Sequence, residues 1–146
     1  MVISSNPAAI KVILDTSVCV AALLSRSGAS ARILRAILAH HISNILTEFI
    51  LEEIKCVLRR KKFSLSLDKQ ETFIRLLTEA SGLVKPMDEF RVTRCRDPKD
   101  DIFLSLANQT QADYLISLDK DLIEVKKVGV TKIVEPRTFL NQERIP

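Results

Sequence analysis

Ile10-Lys11-Val12-Ile13-Leu14-Asp15-Thr16-Ser17 is an apolar run that ends in a carboxylate, with a helical pattern starting directly after it. Ile10 to Leu14 is short, rich in β-branched residues and hydrophobic on both parities. That is the pattern of a strand buried on both faces, hence a central strand of a parallel sheet. In open α/β sheets, ligands bind outside the carboxyl ends of such strands, which is where Asp15 falls. Capping of the next helix is the competing explanation for Asp15, and the remaining acids decide between the two.

The 146 residues are 47% hydrophobic and 27% charged, with a formal net charge of +4. This predicts one folded domain over 10–140, with loose tails at 1–9 and 141–146. A mildly basic chain suits an acidic partner such as RNA. The three cysteines, Cys19, Cys56 and Cys95, are scattered and form no C-x-x-C, so neither a zinc site nor a disulfide framework is expected. The start of the chain has no signal-peptide pattern, and no apolar run reaches membrane-spanning length. A cytoplasmic protein with no membrane contact is the expectation. The three glycines, Gly28, Gly82 and Gly129, are far apart, which excludes a phosphate-binding loop or dinucleotide fingerprint.

Strand and helix patterns alternate along the chain. Strands are predicted over 10–14, 42–46, 83–85, 114–118 and 130–134, with helices between them, and residues 135–140 lead into the tail. Asp68 is the expected cap of a fourth helix that Gly82 ends, and Asp97-Pro98 is a further helix start, with Asp as cap and Pro in the first turn. Such alternation implies right-handed crossovers and an α/β, three-layer sandwich: a mostly parallel sheet with helices on both faces.

The acids recur at matching places. On the helix after Thr47, Glu53 falls on one face with Phe49, Ile50 and Val57, whereas Glu52 points toward Lys55. On the helix after Asp97, Asp100 aligns with Phe103, Leu104 and Ala107, and Asp101 with the wet side at Ser105 and Asn108. Asp119, like Asp15, ends an apolar strand, and Asp121 follows two residues later. A sheet whose strand order reverses between these two strands would bring the acids to one crevice. Like charges that close require a counter-ion. The hard, oxygen-preferring choice is Mg²⁺ or Mn²⁺, and such clusters serve phosphodiester cleavage. No Ser–His or Cys–His pair offers a side-chain nucleophile, so hydrolysis by water leaving a 5′-phosphate is the expected chemistry. Arg59, Arg60, Lys62, Arg91, Arg94 and Arg96 are the candidate RNA-phosphate contacts, with solvation and helix-dipole pairing as their structural alternative.

Four stretches together resemble a PIN domain of the VapC-like kind, the toxin component of bacterial toxin–antitoxin pairs. They are Val12-Ile13-Leu14-Asp15-Thr16-Ser17, Glu52-Glu53-Ile54-Lys55-Cys56-Val57-Leu58, Asp97-Pro98-Lys99-Asp100-Asp101, and Asp113 to Leu122. The resemblance implies a five-stranded sheet and a Mg²⁺- or Mn²⁺-dependent endoribonuclease. It also implies an acidic quartet of Asp15, Glu53, Asp100 and Asp119, with Asp121 as auxiliary acid. It makes Asp15, Asp100, Asp119 and Asp121 the metal ligands. Ser17 and Ser117 become supporting hydroxyls, Ser117 standing where the family usually has Thr. An RNA substrate, an antitoxin protein and a homodimer are the implied partners. The alternative is a PIN-like module that binds RNA or protein without cutting, which has no physical reason to keep inward-facing charges.

Overall fold

A computed structural model describes residues 9–145. All but Ala9 of the expected N-terminal tail therefore lies outside the described residues. Strand β1 (Lys11–Leu14) is followed by α1 (Thr16–Leu24) and α2 (Ala29–Leu38). Strand β2 (Ser43–Leu46) leads into α3 (Glu48–Leu58) and α4 (Leu67–Glu79), and then come β3 (Ser81–Leu83), α5 (Pro98–Thr110) and β4 (Tyr114–Ile116). The chain closes through α6 (Lys120–Ile123), β5 (Lys127–Val128), β6 (Thr131–Val134) and α7 (Pro136–Glu143).

The sheet has the order β3-β2-β1-β4-β6-β5. Every pairing is parallel except β5 with β6. The order therefore runs outward from β1 in both directions and reverses between β1 and β4, the expected switch point. Val12, Ile13 and Leu14 of β1 lie opposite Tyr114, Leu115 and Ile116 of β4. All six are buried, as a strand covered on both faces requires. Helix α1 packs on α2 and α3, α2 packs on α4 and α7, and α5 packs against β4 and β5. No helix among the described residues is long and apolar enough to cross a membrane.

The structure corrects the expected elements in four places. The sheet has six strands rather than five: Lys127–Val128 pairs back on β6 through a tight turn at Gly129, whose φ of +57° suits a residue without a side chain. The third strand is Ser81–Leu83, so Gly82 lies inside it instead of merely ending α4. Ser66, not Asp68, caps α4 by accepting from the Lys69 amide at 3.1 Å. The C-terminal boundary at 140 falls inside α7, whose Phe139 is fully buried and meets Tyr114 edge-on at 4.9 Å.

Candidate metal and phosphodiester cleft

The carboxyl ends of β1 and β4 open into a cavity of about 490 Å³ lined by Asp15, Thr16, Ser17, Glu53, Arg60, Asp97, Lys99, Asp100 and Asp119, with an apolar wall from α1 and α3. Asp15 leaves β1 and caps α1, accepting from the Ser17 amide at 3.3 Å through Oδ1. Its other oxygen, Oδ2, accepts from the hydroxyls of Ser17 at 3.0 Å and Ser117 at 2.5 Å. Asp119 repeats the device at the end of β4, capping α6 through the Asp121 amide at 2.9 Å. Capping and site-building are thus one geometry: each cap holds its acid at the end of a strand, on the wall of the cleft.

Asp100 enters from α5, where Phe103, Leu104 and Ala107 of the same face are buried. One oxygen each of Asp100, Asp119 and Asp121 lies within 4.8 Å of the others. Partial burial, then the charges of Asp119, Asp97, Asp15 and Asp121, push the Asp100 carboxyl up to about 6. This donor set, all oxygen and short of positive charge, fits a hard divalent cation. Asp15 shares the cavity but stands outside the tight triplet, and its Oδ2 is committed to two serines.

Glu53 sits at the edge of its helix's apolar stripe rather than within it. The buried positions of α3 are Ile50, Ile54 and Leu58, while Phe49, expected to be inward, is 55% exposed. Desolvation still raises the Glu53 carboxyl, as do Asp15 and Asp97, against the pull of Lys99 and Thr16 in the other direction.

The candidate phosphate contacts do not form one patch. Arg60 lines the acidic cavity, and Lys62 lies 5.1 Å from the centre of the Phe63 ring. Arg59 borders a separate groove between α3 and α4. Arg91 pairs with Asp88 at 3.0 Å, Arg94 donates to the Lys127 carbonyl at 3.3 Å, and Arg96 pairs with Asp121 at 3.2 Å. The side of α5 expected to face water is instead a docking track. Asp101 accepts from the amides of Arg94 and Cys95, and Ser105 from that of Val92. Asn108 and Gln109 donate to the carbonyls of Phe90 and Lys85.

The sequence pattern did not single out Thr16 or Lys99, and it read Asp97 only as a cap. All three line the cavity. Lys99 had a visible signal, since a cation between Asp97 and Asp100 is well placed to offset them.

The PIN-domain family profile matches residues 11–121. The chain is 32% identical over 120 residues to Uncharacterized protein MJ1680 of Methanocaldococcus jannaschii, an alignment covering 80% of this chain and 76% of that one. Its backbone resembles the crystal structure of PAE2754 from Pyrobaculum aerophilum at a TM-score of 0.62 and 14% identity, over 97% of this chain and all of the other. That last likeness concerns the fold.

Proposed function

This chain belongs to the PIN-domain family, whose members are typically metal-dependent nucleases, and from that premise we propose that it is an endoribonuclease using Mg²⁺ or Mn²⁺. The observation that carries the proposal is the convergence of Asp100, Asp119 and Asp121 within 4.8 Å, in a cleft shared with Asp15 and Glu53.

Asp100, Asp119 and Asp121 would hold the cation, with Asp15 adding charge from the cavity wall. A divalent ion there supplies Lewis acidity and neutralises charge developing on the phosphoryl oxygens. The chain's own residues do the rest. Ser17 and Ser117 lock the Asp15 carboxylate in place. Glu53, its proton affinity raised by burial, takes a proton from the attacking water at a side-chain oxygen. Arg60 and Lys99 draw the RNA backbone into an otherwise acidic cavity. The P–O3′ bond breaks as the water oxygen bonds to phosphorus, and the leaving 3′-oxygen takes a proton from solvent, so cleavage leaves a 5′-phosphate and a 3′-hydroxyl.

The test is incubation of RNA with Mn²⁺ or Mg²⁺, beside a chelated control and an Asp100→Asn variant. Metal-dependent cutting that the variant lacks supports the proposal. Products ending in a 2′,3′-cyclic phosphate would mean attack by the ribose and would overturn the mechanism.

We further propose that the cleavage is that of a cytoplasmic toxin restrained by an antitoxin protein and acting as a homodimer. What supports this is the resemblance of the four motif stretches to toxin sequences. Growth arrest on expression, relieved by Asp100→Asn, is the expected result. A monomeric mass in solution at high concentration would remove the dimer.

A further inference from the structure

The cavity that holds the acids is larger than a metal site needs. A divalent cation with an octahedral shell of waters takes up roughly 180 Å³, at about 30 Å³ per water, whereas the cavity measures about 490 Å³. The remainder has a different chemistry. Ser17, Val20, Ala21 and Leu24 form one stripe along α1, which places Leu24 about 10 Å down the helix from the acidic end. On α3, Val57 lies one turn beyond Glu53, and Arg60 and Phe63 follow just past the end of the helix. Leu24 is 50% exposed. Phe63 is half-buried; its side chain packs against the core and also lines the cavity.

Cations surround this apolar end. Arg59-Arg60-Lys61-Lys62 runs directly into Phe63. Arg60 lines the cavity, and Lys62 Nζ stands 5.1 Å from the centre of the Phe63 ring. None of these four cations is in an ion pair among the described residues. An aromatic side chain set among such cations is how single-stranded nucleic acid is held: the cations follow the phosphates and the bases stack on the ring.

We propose that the apolar end of the cleft, built on Phe63, Leu24 and Val57, seats one nucleobase of the RNA substrate, that of a nucleotide flanking the scissile bond, with Arg60 on a phosphate beside it. The proposal rests on the nuclease reading above. A nucleotide is apolar on its base faces and anionic on its backbone, which matches an apolar wall rimmed by positive charge. A basic peptide would be repelled by that rim, and an acidic one by the carboxylates deeper in the same cavity.

The experiment uses an RNA oligonucleotide cut at one mapped position in Mn²⁺. Two further versions carry hydrogen in place of the base, on one side of that position or on the other. For one of these two the parent's kcat/KM should fall roughly 5- to 150-fold, the range for losing one base–aromatic stack. Phe63→Leu keeps an apolar side chain without a ring face. It should cut intact RNA more slowly by a similar factor and lose most of the contrast between intact and abasic RNA. Phe63→Tyr should restore both. A structural role for Phe63 would slow both RNAs alike and overturn the inference. Leu24→Ser, at a half-exposed position, should also shrink the contrast, and it carries the same comparison if Phe63→Leu does not fold. A parent indifferent to both missing bases overturns the inference alone. So does an undiminished contrast in the variants, which would leave the apolar end to a protein segment. A parent that cuts no RNA in Mn²⁺ overturns the nuclease reading and this subsite with it.

Discussion

The Ser117 hydroxyl donates to Asp15 Oδ2 at 2.5 Å, tying the ends of β4 and β1 together across 102 residues of chain. The same oxygen of Ser117 accepts from the Asp119 amide at 2.9 Å. One buried side chain therefore sets the spacing of two acids on adjacent strands.

Replacing Ser117 with Ala removes a hydrogen bond to a buried carboxylate. The expected cost is about 1.5–3 kcal/mol of stability, by the usual worth of such bonds, together with a fall in cleavage rate. Ser117→Thr keeps the hydroxyl and should recover both. Urea melts and initial rates on all three proteins check this. An alanine variant of parental stability would mean that the bond is not holding the strands' ends.

Asp100 links the site to pH. Its folded-state carboxyl is raised from 3.8 to about 6, so its protonated form stabilises the fold. That contribution is complete below 3.8 and is lost as pH rises through about 6. The metal-free protein should lose stability across that window, by on the order of 1 kcal/mol once solvent screening of this partly open site is allowed for. Asp100→Asn should flatten the change, melt higher than the parent at neutral pH in chelator, and abolish cleavage. Mn²⁺ should stabilise the parent by about 2.7 kcal/mol at one hundred times its dissociation constant, and the variant by less. Melting curves from pH 4 to 8, with chelator and with Mn²⁺, provide the measurement.

Arg96 holds one acid of the triplet that would bind the cation. Its ion pair with Asp121 is largely exposed, so breaking it costs at most about 1 kcal/mol. Arg96→Ala should bind Mn²⁺ more tightly, because Asp121 is released, yet bind RNA more weakly, with a salt slope reduced by about one. Calorimetric metal titration and anisotropy at two salt concentrations give the two signs. Both affinities falling together would show that Arg96 supports the cluster instead of opposing it.

The C-terminal helix belongs to the core. Phe139 is fully buried against Tyr114, so Phe139→Ala should cost about 3–5 kcal/mol, and a chain ending at 135 should not fold cooperatively. A truncated protein that melted sharply would restore the expected tail at 141–146 to a peripheral role.

The acids were legible in the sequence because each contradicts its surroundings: Asp15 and Asp119 stop apolar strands, and Asp100 shares a face with residues that are buried. The strand reversal between β1 and β4 was a condition that the sequence left open, and the strand order meets it. What stayed hidden depends on contacts outside the local pattern. Lys127–Val128 is too short to show a period and becomes a strand only by pairing with β6. Residues 135–140 read as a lead into the tail, but Pro136 opens α7 in its first turn, a position that needs no amide donor. Phe49 falls on the face of Glu53 by helical spacing, but the core meets α3 one residue further round, at Ile50, Ile54 and Leu58.

The hydrogen bonds that α5 makes to the segment before it run almost entirely to that segment's main chain: the amides of Met87, Val92, Arg94 and Cys95, and the carbonyls of Lys85 and Phe90. The path of the segment is thus written largely in the helix, with the Arg94 side chain adding a bond to the Lys127 carbonyl. Arg91 and Thr93, whose side chains make none of these bonds, can be exchanged while the segment keeps its course. A lineage, or a protein engineer, could vary these two positions without disturbing the acids a few residues away.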